Sequence, residues 1–530
     1  MPDSNLKTAG KGFLFITGAK VYFLFTSTIV LLTLPRLFGS PALYGLYRVV
    51  NGVLNVLTMV FVTATIQVAS RFASSLNSPR SVLKTGFKAA GLVGIPVALL
   101  MVFLSGWLST NLLHDAQARL PLIVASGVIA CYAFYAVVIG VFNGIKRFGV
   151  QASFDVAFAT LKTGLILGLV AAGTGVVGVF AGFSTAAFLI LIVAIFMAAR
   201  LPRMDTSASL SLREYLFFGA PLIAYFFVLN MFLQGDVIAL KSLAFAPINL
   251  SFSQSSRSMG LFFAGFGLDS GHGLLNSLSA ARASSIAGVF GAAKNVAMIP
   301  YQAVISITFV AFPFISRASS IGDRSMAGQQ ATAALRAALL LSGLSVAVLG
   351  ASPTYLLGLL FGNAYTGAGL FLTPTLVSVL LFAFMFVANS ILVGTGHPGF
   401  AFWAGAAGLA VQLALLQALR FFFDPSMLMA YAVLADIAGS ATGGLLAWVF
   451  LKRVLGGVKI IKSLVFSLIA GVVVAEGLAW LDLKGLAGML AAWCIGIFAY
   501  MAIVFVLGIV TRHDLDRIME IFRRGDGHKV

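Results

Sequence analysis

Residues 35–48 read Pro35-Arg36-Leu37-Phe38-Gly39-Ser40-Pro41-Ala42-Leu43-Tyr44-Gly45-Leu46-Tyr47-Arg48. One apolar run precedes this stretch (12–34) and another follows it (49–70). Each is close to the ~20 residues a helix needs to span the hydrocarbon core of a bilayer. The prolines, glycines and serine between them mark a link. That link carries two arginines and no acid.

The alternation continues along the whole chain. Its 530 residues are 60% hydrophobic and 9% charged, whereas soluble domains carry about 25% charged residues. Runs of spanning length fall near 12–34, 49–70, 89–110, 120–143, 152–172, 176–199, 216–240, 288–315, 331–351, 369–393, 400–420, 427–451, 462–481 and 485–511. The fold class this predicts is all-α, a polytopic membrane protein of about 14 transmembrane helices. Cys131 and Cys494 both lie inside apolar runs and imply neither a disulfide framework nor a metal site. The first run is too long for a signal-peptide core and is interrupted by Lys20, so no cleaved signal is expected.

A net charge of +18 raises the question of nucleic acid. With the N-terminus inside, 23 of the 34 Lys and Arg residues fall on the inner side, eight on the outer side and three within spans. That bias places both termini in the cytoplasm and accounts for most of the charge, so no nucleic-acid partner is expected. On this topology Arg36 and Arg48 lie on the outer side, where basic residues are scarce. The tail after Thr511 has Leu515, Ile518, Met519 and Phe522 at helical spacing among basic residues. It reads as a helix on the inner leaflet, with a partner-binding role as the alternative.

Gly45-Leu46-Tyr47-Arg48-Val49-Val50-Asn51 is echoed by Gly288-Val289-Phe290-Gly291-Ala292-Ala293-Lys294. Each opens the second span of a possible six-span unit, and the alignment sets Asn51 opposite Lys294. Parallel repeats of this kind are related by an axis along the membrane normal; chance similarity between two helix starts is the alternative. The organisation expected is a lobe over 1–205, a lobe over 206–455 with an external insertion at 242–287, two further spans in 456–511, and a cytoplasmic tail at 512–530. Within the insertion, Met259–Phe266 is apolar but too short to span and reads as re-entrant or interfacial.

A Lys or Arg at the centre of a span costs about 2.5–3.5 kcal/mol on insertion scales, so it normally faces protein or water. On the second span Arg48, Asn51, Asn55, Thr58 and Thr65 keep to one helical face. A polar packing seam is the alternative to a wet face, though a seam has no need of a cation. On the eighth span Lys294, Tyr301 and Thr308 align, with Pro300 and Pro313 permitting a bend. The first span offers Thr17, Lys20 and Ser27; Lys20 either joins the polar face or snorkels to headgroups. Lys162 is two turns from Asp155, too far for a salt bridge, so each should have another partner or water. Asp236 either carries a coupling proton or ion or serves as counter-ion to Lys294 or Lys20. Asp436 and Glu476 are expected to satisfy bonds between helices.

Basic residues gather on or beside spans 1, 2, 5 and 8, while no charged residue stands between Arg336 and Arg420. A cavity between lobes so composed would attract phosphate and repel cations. The chain has no P-loop, no HExxH and no metal-spaced His/Cys cluster, so no cofactor is expected. His397 reads as a turn residue.

The span pattern, the Leu34-Pro35-Arg36-Leu37-Phe38-Gly39 … Tyr44-Gly45-Leu46-Tyr47 link and the Gly288–Pro300 helix start together resemble the bacterial polysaccharide (Wzx-type) flippases of the MOP exporter superfamily. The resemblance covers about residues 8–510. It implies a two-lobed transporter that moves a polyprenyl-diphosphate-linked oligosaccharide across the cytoplasmic membrane by alternating access, for surface polysaccharide biosynthesis. Related flippases line a central cavity with basic residues, and the matching positions are Lys20, Arg36, Arg48 and Lys294. Spans 13 and 14 would be an addition to the lobes. Substrate-binding candidates are therefore Lys20, Arg36, Arg48, Asn51, Asn55, Lys294 and Tyr301, with Asp236 for ion coupling. Expected partners are the lipid-linked oligosaccharide, membrane lipids, and a polysaccharide polymerase or assembly enzymes. A MATE-like ion-coupled exporter of small organic molecules shares the architecture, but cationic cargo calls for acids and aromatic faces. A membrane glycosyltransferase would need several carboxylates outside, and the insertion offers only Asp269; an enzyme is not expected.

Overall fold

The computed structural model describes residues 2–76, 78–201, 210–245, 271–320, 322–422, 427–458 and 460–509, with side chains of the first helix from Gly18 onward. The side chains of Thr17 and Pro313, the Met259–Phe266 patch, Asp269 and the basic tail lie outside the described residues.

The link quoted above is shorter than its sequence suggests. Helix α1 (Pro2–Phe38) runs on through Pro35 and Arg36. Gly39 stops it in the left-handed conformation (φ 61), its N–H donating to the Pro35 carbonyl at 3.2 Å. Pro41 then opens α2 (Pro41–Leu76) at a position where a missing N–H leaves no bond unmade. Only Gly39 and Ser40 are non-helical, so both arginines stand on helices.

The described residues are helical, with no strand among them. Twelve segments are long and apolar enough to cross a membrane. One, Phe148–Ala199, has 52 residues, more than twice what a core about 30 Å thick requires. It turns back at Gly173 (φ 86) and Gly175 (φ 60) into α6 (Phe148–Leu169) and α7 (Gly175–Ala199), which pack side by side. The eighth expected span divides at Met298 into α9 (Gly271–Ala297) and α10 (Ile299–Ser320), and neither half is among the twelve. Pro300 is the local reason for the break: it has no N–H for the Val296 carbonyl. Large side chains stand exposed, as with Phe103, Phe217 and Phe498 at 80%, 82% and 75%. Such a surface suits lipid rather than water.

Two compact units divide the chain. The first holds Met1–Gly291 and Asp424–Met429. In it α2 packs against α5 (Arg119–Gly144) and α8 (Leu212–Ala244), α1 against α6, and both α5 and α6 against α7. Between α2 and α5 in the chain lie α3 (Pro79–Ala89) and α4 (Ile95–Trp107). Ser211 caps α8, its hydroxyl accepting from the Glu214 N–H at 3.1 Å.

The second unit holds Ala292–Phe423 and Ala430–Val530. Its helices are α10, α11 (Arg324–Leu349), α12 (Pro353–Phe361), α13 (Gly369–Gly394), α14 (Pro398–Phe422), most of α15 (Leu428–Leu455), α16 (Ile461–Trp480) and α17 (Gly485–Val506). Helices α16 and α17 dock on α11. Ser467 donates to the Leu339 carbonyl at 2.9 Å and Tyr500 to the Leu340 carbonyl at 3.1 Å. Gly343 leaves the space for both hydroxyls.

The same turn recurs in both units. Ile145 and Arg147 donate to the carbonyls of Val141 and Phe142 (3.0 and 2.9 Å) between α5 and α6. Thr395 and His397 donate to Ile391 and Leu392 (2.9 and 2.8 Å) between α13 and α14. Lys146 (φ 59) and Gly396 (φ 88) hold matching left-handed positions. His397 is the turn residue its sequence suggests.

Candidate functional site

Many basic residues have plain structural work. Arg80 closes the C-terminal end of α7, bonding the Leu201 and Ala199 carbonyls at 2.6 to 3.3 Å. Arg71 stacks on Phe218 (4.0 Å), Arg200 on Phe196 (4.2 Å) and Lys452 on Trp448 (5.2 Å). Setting these aside leaves a smaller set of cations within the helical body.

In the first unit, Lys20 of α1 pairs with Asp155 of α6 at 2.9 Å. Tyr22 and Thr160 share a 2.8 Å hydrogen bond beside it. Lys162, two turns beyond Asp155, instead lies under the rings of Phe23, Phe183 and Phe158 at 4.6, 5.3 and 5.9 Å. Asp155 and Lys162 thus have separate partners, as their spacing implied.

The polar face of α2 begins at a close crossing. A Cβ on Gly45 would strike the Ser284 carbonyl of α9, and one on Gly288 would strike the Pro41 carbonyl of α2. The two glycines that head the echoed stretches therefore seat reciprocally, each against the carbonyl four residues before the other. One turn on, Arg48 lies over Gly291, whose absent Cβ would sit 3.1 Å from the arginine Nε. Arg48 is only 8% exposed, and its Nε has no hydrogen-bond partner. Asn51 and Asn55 follow on the same face, half-buried. Neither amide makes a hydrogen bond among the described residues. Thr58 turns inward and donates to its own helix at Leu54, 2.8 Å. Gly52 lets α8 approach, with Gln234 Oε1 3.6 Å from where its Cβ would be. Asp236, two residues further along α8, is fully buried. Arg36 is exposed in the last turn of α1.

A buried cluster that sequence reasoning missed lies in the same unit. Lys241, 0% exposed, donates to Asp115 at 2.6 Å, and Ser284 donates to the same oxygen at 3.3 Å. Asp115 also caps the short helical turn Ala116–Ala118 through the Gln117 N–H, 3.0 Å. In sequence Lys241 looked like a basic residue beyond the end of a span.

In the second unit, Lys294 is 5% exposed and its Nζ lies 3.5 Å from Asp436 of α15. Gln412 of α14 donates to the other oxygen of Asp436 at 2.5 Å. Tyr301, beyond the break at Met298, packs edge-on against Phe382 and Phe386 of α13, each at 5.3 Å. The expected stripe is therefore split, Lys294 on α9 and Tyr301 and Thr308 on α10. Asp436 does bond between helices, as expected. Glu476 does not: it is exposed on α16 and has no hydrogen bond among the described residues. An acid inside an apolar run need not face inward when its helix presents a broad outer surface.

No family profile and no curated protein sequence matches the chain. Solved structures do. The structure of the lipid II flippase MurJ in an inward closed conformation aligns over 92% of this chain and 97% of its own, with TM-score 0.63 and 14% identity. An outward-facing multidrug resistance MATE family transporter of the MOP superfamily aligns over 84% and 96%, with TM-score 0.57 and 14% identity. A MOP superfamily transporter from Pyrococcus furiosus, whose binding pocket is described as having reversed polarity, aligns over 84% and 96%, with TM-score 0.56 and 14% identity. The chain thus has the all-helical fold of MOP superfamily members, and these neighbours are transporters rather than enzymes.

Proposed function

We propose that the protein is a flippase that moves a polyprenyl-diphosphate-linked oligosaccharide across the bacterial cytoplasmic membrane by alternating access, for surface polysaccharide biosynthesis. Arg48 carries this reading. A guanidinium stays charged at any physiological pH. Here it is 8% exposed, in a helix otherwise apolar enough to span, with no carboxylate beside it among the described residues. A buried cation without a protein counter-ion is suited to an anionic ligand, and diphosphate oxygens match the guanidinium fork. Asn51 and Asn55, half-buried on the same face, are the proposed contacts to phosphate or sugar oxygens. Lys20, Arg36, Lys294 and Tyr301 complete the proposed substrate path, and Asp236 is the proposed site of ion coupling. Both termini are assigned to the cytoplasm. Membrane lipids and a polymerase or assembly enzymes are the proposed partners.

Export of organic cations on the same fold is less well supported. Three embedded carboxylates, Asp155, Asp115 and Asp436, each already face a lysine at 2.9, 2.6 and 3.5 Å. Cationic cargo would have to displace those ammonium groups.

Deleting the gene should trap lipid-linked glycan on the cytoplasmic leaflet. Complementation with Arg48→Ala or Lys294→Ala should fail although the proteins insert normally. Normal glycan export by both variants would rule the reading out. Asp236→Asn should remove dependence on an ion gradient, and unchanged dependence excludes that role.

A further inference from the structure

Arg48 carries the flippase reading, yet one edge of its guanidinium is covered. A guanidinium grips an anion with two parallel N–H groups, and one such pair is Nε–H with the adjacent Nη–H. Nε of Arg48 is buried and makes no hydrogen bond. The backbone of α9 lies over it: a Cβ on Gly291 would stand 3.1 Å from Nε, 3.3 Å from Cγ and 3.6 Å from Cδ. The gap would hold that missing methyl group only tightly, so a phosphate, which is larger, has no place there.

Three contacts seat α9 on this spot. Gly45 meets the Ser284 carbonyl, and Gly288 meets the Pro41 carbonyl. A Cβ on Gly288 would also stand 3.1 Å from the Gly45 Cα. Glycine at both positions is what lets the two backbones approach so closely. The third contact is the Ser284 hydroxyl, which donates at 3.3 Å to Asp115, the carboxylate that Lys241 also holds. All of these residues belong to the first unit. Against the three contacts stands the charge. Burying a cation without a counter-ion is costly, and Arg48 has none among the described residues. Separation of α9 from α2 relieves that cost by admitting water or an anion.

We infer that the α2–α9 crossing is a cover on the anion site, and that α9 must lift from α2 before a diphosphate can take the Nε edge of Arg48. The inference rests on the flippase reading above and adds the control of its site. Only the lifted form binds the anion in full, so the apparent affinity is the intrinsic affinity scaled by the lifted fraction. Whatever weakens the seat raises that fraction. Overpacking the crossing should therefore improve anion binding, the reverse of what damage to a preformed site would do.

The test is calorimetry of inorganic pyrophosphate binding to the purified full chain, together with phenylglyoxal labelling of arginine read at Arg48 by peptide mass spectrometry. In wild type Arg48 should label more slowly than the exposed Arg36. Gly45→Ala and Gly288→Ala should each bind pyrophosphate more tightly, by about 5-fold to 150-fold, the usual range of a coupling between two states, and should label faster at Arg48. Ser284→Ala should move both readouts the same way by about fivefold, since the seated form loses one typical hydrogen bond and no atom is added. Arg48→Ala should lose binding. Glycine variants lacking either gain, with binding still lost in Arg48→Ala, would overturn the cover and leave the flippase reading standing. Unchanged binding in Arg48→Ala would instead remove the reading on which it rests. Should both glycine variants fail to fold, Ser284→Ala decides: tighter binding with faster labelling supports the cover, and the absence of either refutes it.

Discussion

Arg48 and Lys294 stand three and six residues beyond the echoed glycines Gly45 and Gly288, Arg48 two turns into α2 and Lys294 in the last turn of α9, and both are buried, at 8% and 5% exposure. They are buried differently. Lys294 faces a carboxylate that a glutamine steadies from behind. Arg48 lies over a glycine with its Nε unbonded and no carboxylate beside it among the described residues. The lysine's charge is answered by Asp436. The arginine's charge has no ion-pair partner among the described residues.

The difference is best broken through stability. Lys294→Met should destabilise the protein by about 3–5 kcal/mol, because it removes the ammonium that faces the buried Asp436 carboxylate. Adding Asp436→Leu should recover most of that loss. Thermal unfolding of the single and double variants is the measurement, and equal midpoints would mean the pair is not coupled. Arg48→Met should behave in the opposite way. Exchanging an uncompensated cation for an apolar side chain should leave stability unchanged or raise it, while transport falls about a hundredfold, the scale of losing a desolvated charge contact. Arg48→Lys should not restore transport, since an ammonium lacks the planar fork. A Met variant that loses stability would show that Arg48 has a structural partner after all.

The reciprocal glycine contact sharpens the comparison at the level of the backbone. Gly288→Ala would set a methyl group against the Pro41 carbonyl, and Gly45→Ala one against Ser284. Each should cost about 1–3 kcal/mol by overpacking. One separation of the helices relieves both clashes, so the double variant should cost well below the sum. Additive losses would mean that the two glycines do not share a crossing.

The sequence disclosed one side of the Arg48–Lys294 contrast better than the other. Arg48 was legible because Arg48, Asn51 and Asn55 form a local pattern, and helical periodicity reports which residues share a face. The state of Lys294 was not, since Asp436 lies 142 positions away and no periodicity pairs distant helices. Lys241 was misplaced for the same reason: its partner Asp115 is 126 positions earlier. Span lengths were readable from apolar runs, yet the run over 288–315 concealed a break at Met298 that only Pro300 hinted at. Pro35 misled in the other direction. It reads as a helix stop, but the stop is Gly39, which can adopt the left-handed conformation directly. Glu476 shows the limit from the other side, since an acid within an apolar run says nothing about which way its helix faces.

A change that touches neither cation provides the baseline for all of these effects. Tyr500 of α17 reaches the Leu340 carbonyl at 3.1 Å and shares a 2.5 Å hydrogen bond with Ser467 of α16. Both hydroxyls pack into the space left by Gly343 on α11. Tyr500→Phe keeps the ring and removes only the hydroxyl, so the expected loss is about 1 kcal/mol, the net worth of a typical hydrogen bond. Ser467 retains its own bond to Leu339, 2.9 Å away, so no donor is stranded. Glycan export should be unchanged in this variant. If export failed here as it is expected to fail in Lys294→Ala, the effects assigned to the charge pair would belong to general loosening of the second unit instead.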